Sequence, residues 1–209
     1  KKQENLVDFK TGAQLFMNQF IETEVLQGKG KAYGIEFLLR KKTGKSTGWL
    51  GYTYSRSLIQ LDSPFVVERV NNGRFFPTNY DKPHDLTLAW NFSLGKRVSL
   101  STNMLYQTGR PITLPAGNYQ FNQAEYVLFS DRNAFRIPDY YRVDLSLNYD
   151  HKKKKSNGIG LAWNLSVYNI LGRNNPFSVF FVAEDGEIKG RQSAIFNVPI
   201  PSLNLSVKF

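Results

Sequence analysis

Asp85-Leu86-Thr87-Leu88-Ala89-Trp90-Asn91-Phe92-Ser93-Leu94 is the stretch that decides the fold, because its apolar and polar residues alternate without a break. One face of this segment carries only large apolar side chains, those of Leu86, Leu88, Trp90, Phe92 and Leu94. The other face carries Thr87, Ala89, Asn91 and Ser93. Alternation with a period of two predicts a β-strand with one apolar face. The length of the segment suits a tilted strand that crosses a bilayer in about 9–11 residues.

The same alternation returns along the chain, whereas the 3.6-residue period of a helix is hard to find. Three further segments show it cleanly: residues 142–149, 161–167 and 203–209. Three weaker examples are residues 35–39, 50–54 and 98–106. The pattern therefore predicts an all-β chain with seven antiparallel strands.

Short and long connections alternate between these strands. The short ones are residues 41–46, 94–97 and 152–158, and the long ones are 57–83, 108–139 and 183–192. The last long connection follows a penultimate strand at about 159–182, in which we expect an irregularity at 172–176. Short turns at one end and long loops at the other are typical of outer-membrane β-barrels, in which the turns are periplasmic and the loops extracellular. If the final strand ends in the periplasm, all three short turns lie on that side.

Aromatic residues close to the predicted strand ends fit such a barrel, because aromatic girdles mark the membrane interfaces. The residues in question are Tyr52, Tyr54, Tyr106, Tyr149 and Phe209.

Composition excludes a helical membrane protein. The 209 residues are 41% hydrophobic, the mean hydropathy is −0.39, and no run approaches the roughly 18 apolar residues that a membrane-spanning helix needs. The net charge of +10 comes largely from clusters in the short turns, at residues 41–45, 96–97 and 152–155. This distribution indicates solvated turns and not a nucleic-acid partner. The chain has no cysteine, which excludes disulfides and thiolate metal sites.

Seven strands cannot close a bacterial single-chain barrel, which uses an even number of strands. Either residues 13–20 supply an eighth strand or further strands lie upstream of Lys1, and the lack of an initiator Met and of an apolar signal segment favours the second alternative. We therefore expect residues 1–209 to be the C-terminal portion of the barrel of a longer precursor. Residues 1–29 are expected to be mostly extracellular loop that leads into the first strand.

Several local phrases resemble the TonB-dependent outer-membrane receptors, in the form common among Bacteroidetes. The phrases are Gly34-Ile35-Glu36-Phe37-Leu38-Leu39-Arg40-Lys41-Lys42-Thr43-Gly44, Gly48-Trp49-Leu50-Gly51-Tyr52-Thr53-Tyr54-Ser55-Arg56-Ser57, Tyr80-Asp81-Lys82-Pro83-His84-Asp85-Leu86, Gln107-Thr108-Gly109-Arg110-Pro111, Tyr141-Arg142-Val143-Asp144-Leu145-Ser146-Leu147 and Val167-Tyr168-Asn169-Ile170-Leu171. In this order they span nearly the whole chain. The closing Lys208-Phe209 resembles the terminal aromatic signal that the barrel-assembly machinery reads.

The resemblance implies a barrel of about 22 strands filled by an N-terminal plug, of which this chain would be the last seven or eight strands. It implies uptake of a scarce ligand across the outer membrane, driven by the TonB complex through N-terminal parts that these residues do not include. The partners implied are membrane lipid and lipopolysaccharide, the rest of the barrel with its plug, and the barrel-assembly machinery. A lipoprotein that lids the barrel occurs in one branch of the family, and the sequence leaves that partner open.

Ligand recognition is expected in the long loops, because binding residues concentrate on loops held by a rigid scaffold. The turn-rich stretches 71–77 and 130–133 and their surroundings give six candidate ligand-binding residues, namely Arg74, Phe76, Tyr80, Arg110, Asp131 and Arg132. Asp81 and Asp131 can equally be turn formers that bond their own backbone. The inward-facing acids Glu36 and Asp144 either pair with Arg or Lys on neighbouring strands, which we favour, or line a substrate path.

Nothing in the sequence points to a reaction. The two histidines, His84 and His151, have no partner at a ligand spacing, so no metal site and no cofactor is predicted. Neither a Gly-x-Ser-x-Gly motif nor a P-loop occurs. The alternative to a transport receptor is a non-transporting barrel that serves as a structural or assembly component of an envelope complex. An eight-stranded barrel enzyme is a weaker third hypothesis.

Overall fold

The computed structural model describes residues 1–10, 13, 18–122, 124–150, 160–184 and 187–208, and almost all of its regular structure is β-strand. The strands are β1 (Lys2–Phe9), β2 (Val25–Lys41), β3 (Ser46–Gln60), β4 (Phe76–Pro77), β5 (His84–Ser93), β6 (Val98–Gln107), β7 (Pro111–Ile112), β8 (Pro115–Phe121), β9 (Ala124–Phe129), β10 (Phe135–Arg136), β11 (Tyr140–Asp150), β12 (Gly160–Tyr168), β13 (Pro176–Glu184), β14 (Glu187–Ala194) and β15 (Ile200–Lys208). Three short 3-10 helices cover Ile21–Glu24, Val66–Glu68 and Val70–Gly73. No helix in this part of the chain is long and apolar enough to cross a bilayer.

One antiparallel sheet contains all seven predicted strands. Its order is β1-β2-β3-β5-β6-β11-β12-β15, with the short β4 paired to β3. Apart from the short β4, each strand of this sheet therefore pairs with the next strand of the same sheet along the sequence, which is the meander that a membrane barrel requires. Between the described residues β1 and β15 do not pair with each other, so the chain forms an open wall and not a closed barrel.

The register brings the predicted apolar positions into common rows across the wall. One row joins neighbouring strands through Leu50, Leu88, Met104 and Val143. On the opposite face Asn91 lies across from Ser101, and Asn148 lies across from Asn164. There the Asn148 amide donates to the Ser101 hydroxyl at 2.9 Å, and the Ser101 hydroxyl donates to Asn91 Oδ1 at 2.9 Å. The wall thus has an apolar outward face and a hydrogen-bonded polar inward face.

The β2–β3 hairpin projects beyond the rest of the sheet at the loop-bearing end. β3 pairs with β5 only from Ser46 to Tyr54, so residues 55–60 continue for about 20 Å past that pairing. The small hydrophobic core of the chain lies on the inward side of this projection. It consists of Leu26, Ile59, Leu61, Val70 and Phe76, with Leu6 packed against it.

The first 29 residues, which we expect to be mostly extracellular loop leading into the first strand, include regular structure. They contain β1, which is the eighth strand of the sheet, and the beginning of β2. The alternative position for an eighth strand, residues 13–20, was wrong for Ala13 and residues 18–20, and the other residues of that segment lie outside the described ones. The sequence does not predict β1 because a bulge between Gln3 and Leu6 interrupts the period-two pattern of this strand. At the bulge Asn5 has a φ of 57°.

The penultimate strand also ends earlier than predicted. β12 stops at Tyr168, and β13 pairs with β14 in a separate hairpin instead of continuing β12 to Val182. The last long connection therefore covers residues 169–199. The loop from 108 to 139 likewise contains two small sheets, β7 with β10 and β8 with β9. The predicted basic turn at 152–158, His151 and the terminal Phe209 lie outside the described residues.

Candidate functional site

Asp81 ties the first long loop to the wall and to the second long loop. Its carboxylate is buried, and Oδ1 accepts hydrogen bonds from the Ser57 amide at 2.6 Å and from Arg56 Nε at 3.2 Å. Its Oδ2 pairs with Arg136 Nη2, and Arg136 Nη1 donates to the Asp81 carbonyl oxygen at 2.6 Å. Arg136 also donates to the Gly109 carbonyl oxygen at 2.9 Å. One carboxylate and two guanidinium groups therefore fix three segments that are far apart in the sequence.

Asp139 makes a similar junction at the base of the second long loop. Its carboxylate accepts hydrogen bonds from the Gly109 amide at 2.9 Å and from the Tyr106 hydroxyl at 2.7 Å, and Arg173 donates to its carbonyl oxygen at 2.9 Å. Burial opposes ionisation of Asp139. The amide of Gly109, the hydroxyl of Tyr106 and the nearby guanidinium groups of Arg173 and Arg136 outweigh that effect, and the pKa of Asp139 lies below its usual value.

Gly109 is required at this junction for steric reasons. A Cβ at this position would lie 1.8 Å from the Ile137 carbonyl oxygen. The two strands of the loop can approach closely enough to bond Asp139 and Arg136 only because residue 109 has no side chain.

Asn169 fixes the third long loop where it leaves β12. It is 1% exposed and adopts a φ of 51°, a left-handed conformation that Asn tolerates better than most residues. Its amide nitrogen donates to Asp144 Oδ1 at 2.9 Å, and its side chain donates to the carbonyl oxygens of Arg173 and Phe196, both at 3.1 Å. Asp144 pairs with Arg142 at 3.1 Å, on its own strand and not on a neighbouring one as expected.

Two asparagines join the first and second long loops directly. The Asn71 side chain donates to the Arg132 carbonyl oxygen at 2.8 Å and accepts from the Arg132 amide at 2.7 Å. The Asn133 side chain donates to the Pro77 carbonyl oxygen at 2.8 Å and to Asn79 Oδ1 at 3.0 Å. The loops therefore form a connected platform above the wall.

The structure places four of the six predicted ligand-binding residues at the surface or beside a cleft of this platform. Tyr80 is 88% exposed, and the side chains of Arg74 and Asp131 are 70% and 54% exposed, with Arg74 Nη2 at 3.5 Å from Asp131 Oδ2. Arg132 lines a cleft together with Asp131, but its Nη2 donates to the carbonyl oxygens of Phe9 and Lys10 and so holds the end of β1.

The other two predicted residues have mainly structural surroundings. Phe76 is 4% exposed in the hydrophobic core, so it does not reach the loop surface where a ligand was expected. Arg110 is half-buried, and its carbonyl oxygen accepts a hydrogen bond from the Ile137 amide at 3.1 Å.

Two clefts at this end of the wall are bordered by predicted ligand-binding residues. One, of about 370 Å³, lies between residues 69–71 and residues 129–132 and includes Asp131 and Arg132. The other, of about 640 Å³, runs over a part of the inward face where the residues are small, with Tyr80 at its margin and Glu36 at one end; the small residues are Ala32, Gly34, Ser55 and Ser57. Within the residues that the structure describes, no three His, Cys, Asp or Glu side chains are grouped to hold a metal ion. The arrangement offers hydrogen-bonding groups and aromatic surface for binding.

The sequence does not reveal the buried polar contacts of the platform. It predicts Asp81 as a turn former or a loop contact, and it gives no sign that Arg136, Asp139 and Asn133 are partners across loops. A sequence signal does exist for some of them, because Asp81, Gly109 and Asn169 fall inside the phrases that carry the family resemblance.

Comparison with protein families shows that residues 1–170 match the family described as TonB dependent receptor-like, beta-barrel. No characterised protein and no solved structure has a significant similarity to the chain. The matched region covers the wall from β1 to the end of β12, together with the first two long loops.

Proposed function

The chain belongs to the TonB-dependent receptor β-barrel family, a family of outer-membrane transport receptors, and from this premise we propose that its long loops capture a ligand that is then taken up across the outer membrane. The observation that carries the proposal is the platform at the loop-bearing end. Buried pairs such as Asp81 with Arg136 hold its loops in place, while Tyr80 and Arg74 stay exposed. Groups that are fixed before a ligand arrives lose little conformational entropy on binding, which favours affinity.

The proposed mechanism consists of binding and passage, without a covalent step. In it the long loops lie outside the cell, the ligand enters through the clefts beside Tyr80 and Asp131, and a plug in the complete barrel of about 22 strands responds to TonB. The inward face supports this route, because its amide and hydroxyl groups offer exchangeable hydrogen bonds to a plug or to a passing ligand.

The same proposal includes the partners that the resemblance implies. The barrel-assembly machinery would recognise the terminal Phe209, and a surface lipoprotein would close the loop-bearing end if the protein is of the Bacteroidetes form. The C-terminal position of residues 1–209 in the parent protein and the extracellular position of the loops belong to this proposal as well.

Energy-dependent uptake is the decisive measurement. A strain that lacks the full-length receptor should be compared with its parent for uptake of radiolabelled ferric chelates, cobalamin and oligosaccharides, with and without a protonophore. We expect the deletion to abolish uptake of one class, and the protonophore to have the same effect in the parent. Complementation with wild-type receptor should restore uptake, whereas complementation with Tyr80→Ala should restore it only in part.

The same strains and the purified receptor also provide a result that would contradict the transport proposal. If the deletion strain takes up every class at the parental rate and the purified full-length receptor binds none of them, the transport proposal is wrong. That result would favour a structural or assembly component of the envelope instead.

A further inference from the structure

Two rows of serine and asparagine side chains cross five neighbouring strands, β5, β6, β11, β12 and β15, on the inward face of the wall. Within each row every residue lies directly opposite the next one on the neighbouring strand. The first row consists of Asn91, Ser101, Ser146, Ser166 and Ser202, and the second row, two positions nearer the short turns, consists of Ser93, Ser99, Asn148, Asn164 and Asn204. These ten residues, which we call the Ser/Asn surface, include no charged and no apolar side chain.

The Ser/Asn surface interrupts an inward face that carries charge elsewhere. Nearer the loops the same strands present Asp85 on β5 and the pair of Arg142 with Asp144 on β11. Nearer the short turns β11 ends at Asp150, opposite Ala162. The interior of a barrel can satisfy its polarity with charged groups that are paired, as it does on these strands. The need for a polar lumen therefore does not by itself explain why both rows are uncharged.

Hydrogen bonds link part of the Ser/Asn surface and leave the rest open to the lumen. Nδ2 of Asn164 donates to Asn148 Oδ1 at 2.5 Å and also to Ser146 Oγ. Neither Ser166 nor Ser202 has a side-chain hydrogen-bond partner within the part of the chain that the structure describes. Ser166 is half-buried and Ser202 is exposed. The linked side chains hold the surface in place, and the open hydroxyl groups are available to a molecule in the lumen.

The chemistry of this surface fits a ligand that has many hydroxyl groups and no charge. Serine and asparagine side chains both donate and accept hydrogen bonds, as the hydroxyl groups of a saccharide do. Each such bond replaces a bond with water and contributes little net free energy, so a ligand can move from one site to the next without being trapped. A carboxylate or a phosphate, in contrast, would lose water in front of the two rows without gaining an opposite charge. The surface therefore favours the passage of uncharged ligands over that of anions.

The position of the Ser/Asn surface places it after ligand capture. Ser146 lies six residues beyond Tyr140, the first residue of β11 at the loop-bearing end, which corresponds to about 20 Å along the strand. The clefts beside Tyr80 and Asp131 lie at the loop-bearing end. A ligand that is captured there therefore reaches the Ser/Asn surface last, near the short turns.

We propose that an uncharged oligosaccharide passes along the Ser/Asn surface as it leaves the lumen at the short-turn end. The proposal rests on the transport function proposed above, and it adds the chemical class of the ligand and the part of the wall that the ligand follows. Ser166 and Ser202 offer hydroxyl groups to the ligand. The absence of charge in both rows slows anionic ligands relative to neutral ligands of the same size.

The test compares the uptake of two matched probes by cells that produce the full-length receptor. One probe is a mixture of tritiated hexose oligosaccharides reduced to neutral alditols. The other is the same mixture oxidised to aldonic acids, each of which carries one carboxylate. Cells that lack the receptor give the background, and a radiolabelled ferric chelate serves as a probe of another ligand class.

The variant Ser166→Lys places a cation on the Ser/Asn surface. The matched control is Leu38→Lys, which adds the same charge to an inward-facing position that is 73% exposed and lies on β2, separated from β12 by four strands. A second variant, Ser166→Gln, enlarges the side chain without adding charge. Thermal unfolding of each purified receptor verifies that it is folded.

We expect wild-type cells to take up the alditols faster than the aldonic acids. Ser166→Lys should reduce this preference about fivefold, which is the effect of one cation about 4 Å from a carboxylate in water. Leu38→Lys should leave the preference at the wild-type value. Ser166→Gln should change the uptake of both probes by the same factor, because it introduces no charge.

Three outcomes would overturn the proposal. Equal uptake of alditols and aldonic acids by wild-type cells would exclude selection against charge. An unchanged preference in Ser166→Lys, or an equal shift in Leu38→Lys, would mean that the ligand does not follow the Ser/Asn surface. Uptake of the ferric chelate without uptake of either saccharide would contradict the ligand class and leave the transport function in place. A receptor that neither takes up nor binds any probe would instead contradict the transport function itself, so the two failures are distinguishable.

Discussion

The carboxylate of Asp81, which is 1% exposed, pairs with the guanidinium group of Arg136, which lies 55 positions later in the sequence. This contact joins the loop that follows β3 to the loop that follows β6. Since Arg56 of β3 shares the same carboxylate, the two loops are also anchored to the wall.

Removal of Arg136 should therefore loosen both loops. Breaking a buried pair by removing one partner costs about 3–5 kcal/mol, and we expect Arg136→Ala to fall at the lower end because Arg56 still pairs with Asp81. Hydrogen exchange should accelerate in residues 78–83 and 109–112. In the matched control, Arg74→Ala, loss of the exposed pair with Asp131 should change stability by less than about 1 kcal/mol. Equal exchange in the two variants would mean that the Asp81 junction does not hold the loops.

Gly109→Ala should disturb the same junction from the backbone side. The new methyl group would meet the Ile137 carbonyl oxygen, so the loop must shift and the hydrogen bond from the residue 109 amide to Asp139 should lengthen. Overpacking of this kind costs about 1–3 kcal/mol. Gly117→Ala is the control, because a Cβ there would meet nothing within 4 Å. Limited proteolysis of the second long loop should separate the two variants, and equal cleavage rates would contradict the steric argument.

The wall was predictable from sequence because each of its long strands carries its own evidence. In β5 and β12 the period-two pattern is unbroken, and the register then aligns Leu88 with Met104 and Trp163 with Leu205 as the alternation requires. β1 was not predictable, because the bulge near Asn5 shifts its side chains from one face to the other. The early end of β12 depends on the hydrogen bonds of buried Asn169, which join segments that are distant in the sequence.

For the candidate site, the sequence predicts a position in the long loops but not which loop side chains are exposed and which are buried. Turn-forming residues in the long connections led to the choice of Tyr80 and Arg74, which are exposed, and their role in ligand binding stays a prediction. Phe76 lies in the same stretch but packs against Ile59 and Leu61, because the projecting β2–β3 hairpin provides an inward surface for the loop to cover. Burial that results from the folding of a loop back over the hairpin that precedes it leaves no local pattern, and neither do the partners of Asp81 and Asp139, which lie in other loops.

Acid should loosen the second long loop through Asp139. Its pKa is lower in the folded protein than in an unfolded chain, so its stabilising effect is fully present above the unfolded value of about 3.9 and is lost as the pH falls through the lower, folded value. The protection of the amides at residues 109–112 from hydrogen exchange, measured relative to their intrinsic exchange rates at each pH, should thus be constant near neutral pH and decrease only below about pH 4. Asp139→Asn should exchange faster at neutral pH and show a smaller change on acidification. An unchanged acid response in that variant would exclude Asp139 as the titrating group.

Alanine substitutions of Tyr80 and Phe76 should distinguish a residue that contacts the ligand from a residue that stabilises the fold. Tyr80→Ala removes an exposed ring beside a cleft, so we expect weaker ligand uptake with little change in the thermal stability of the barrel. Phe76→Ala leaves a cavity in the small core and should cost about 3–5 kcal/mol. Uptake kinetics and thermal unfolding of both variants provide the comparison. A destabilised Tyr80→Ala variant, or a Phe76→Ala variant of wild-type stability, would contradict the assignment.

Leu165 gives a direct test of which face of the wall meets lipid. It lies on the outward face, opposite Leu147 on one side and Leu203 on the other, and is 45% exposed. Arginine on the lipid face near the middle of the bilayer costs about 2–4 kcal/mol, because the charge leaves water without a partner. Leu165→Arg should therefore lower the denaturant midpoint of the folded barrel in lipid vesicles. Ser166→Arg, one residue along on the polar inward face, should have a smaller effect because water and polar groups can solvate the charge there. If Ser166→Arg is the more damaging of the two, the inward and outward faces have been assigned the wrong way round, and the proposed ligand route would fail with that assignment.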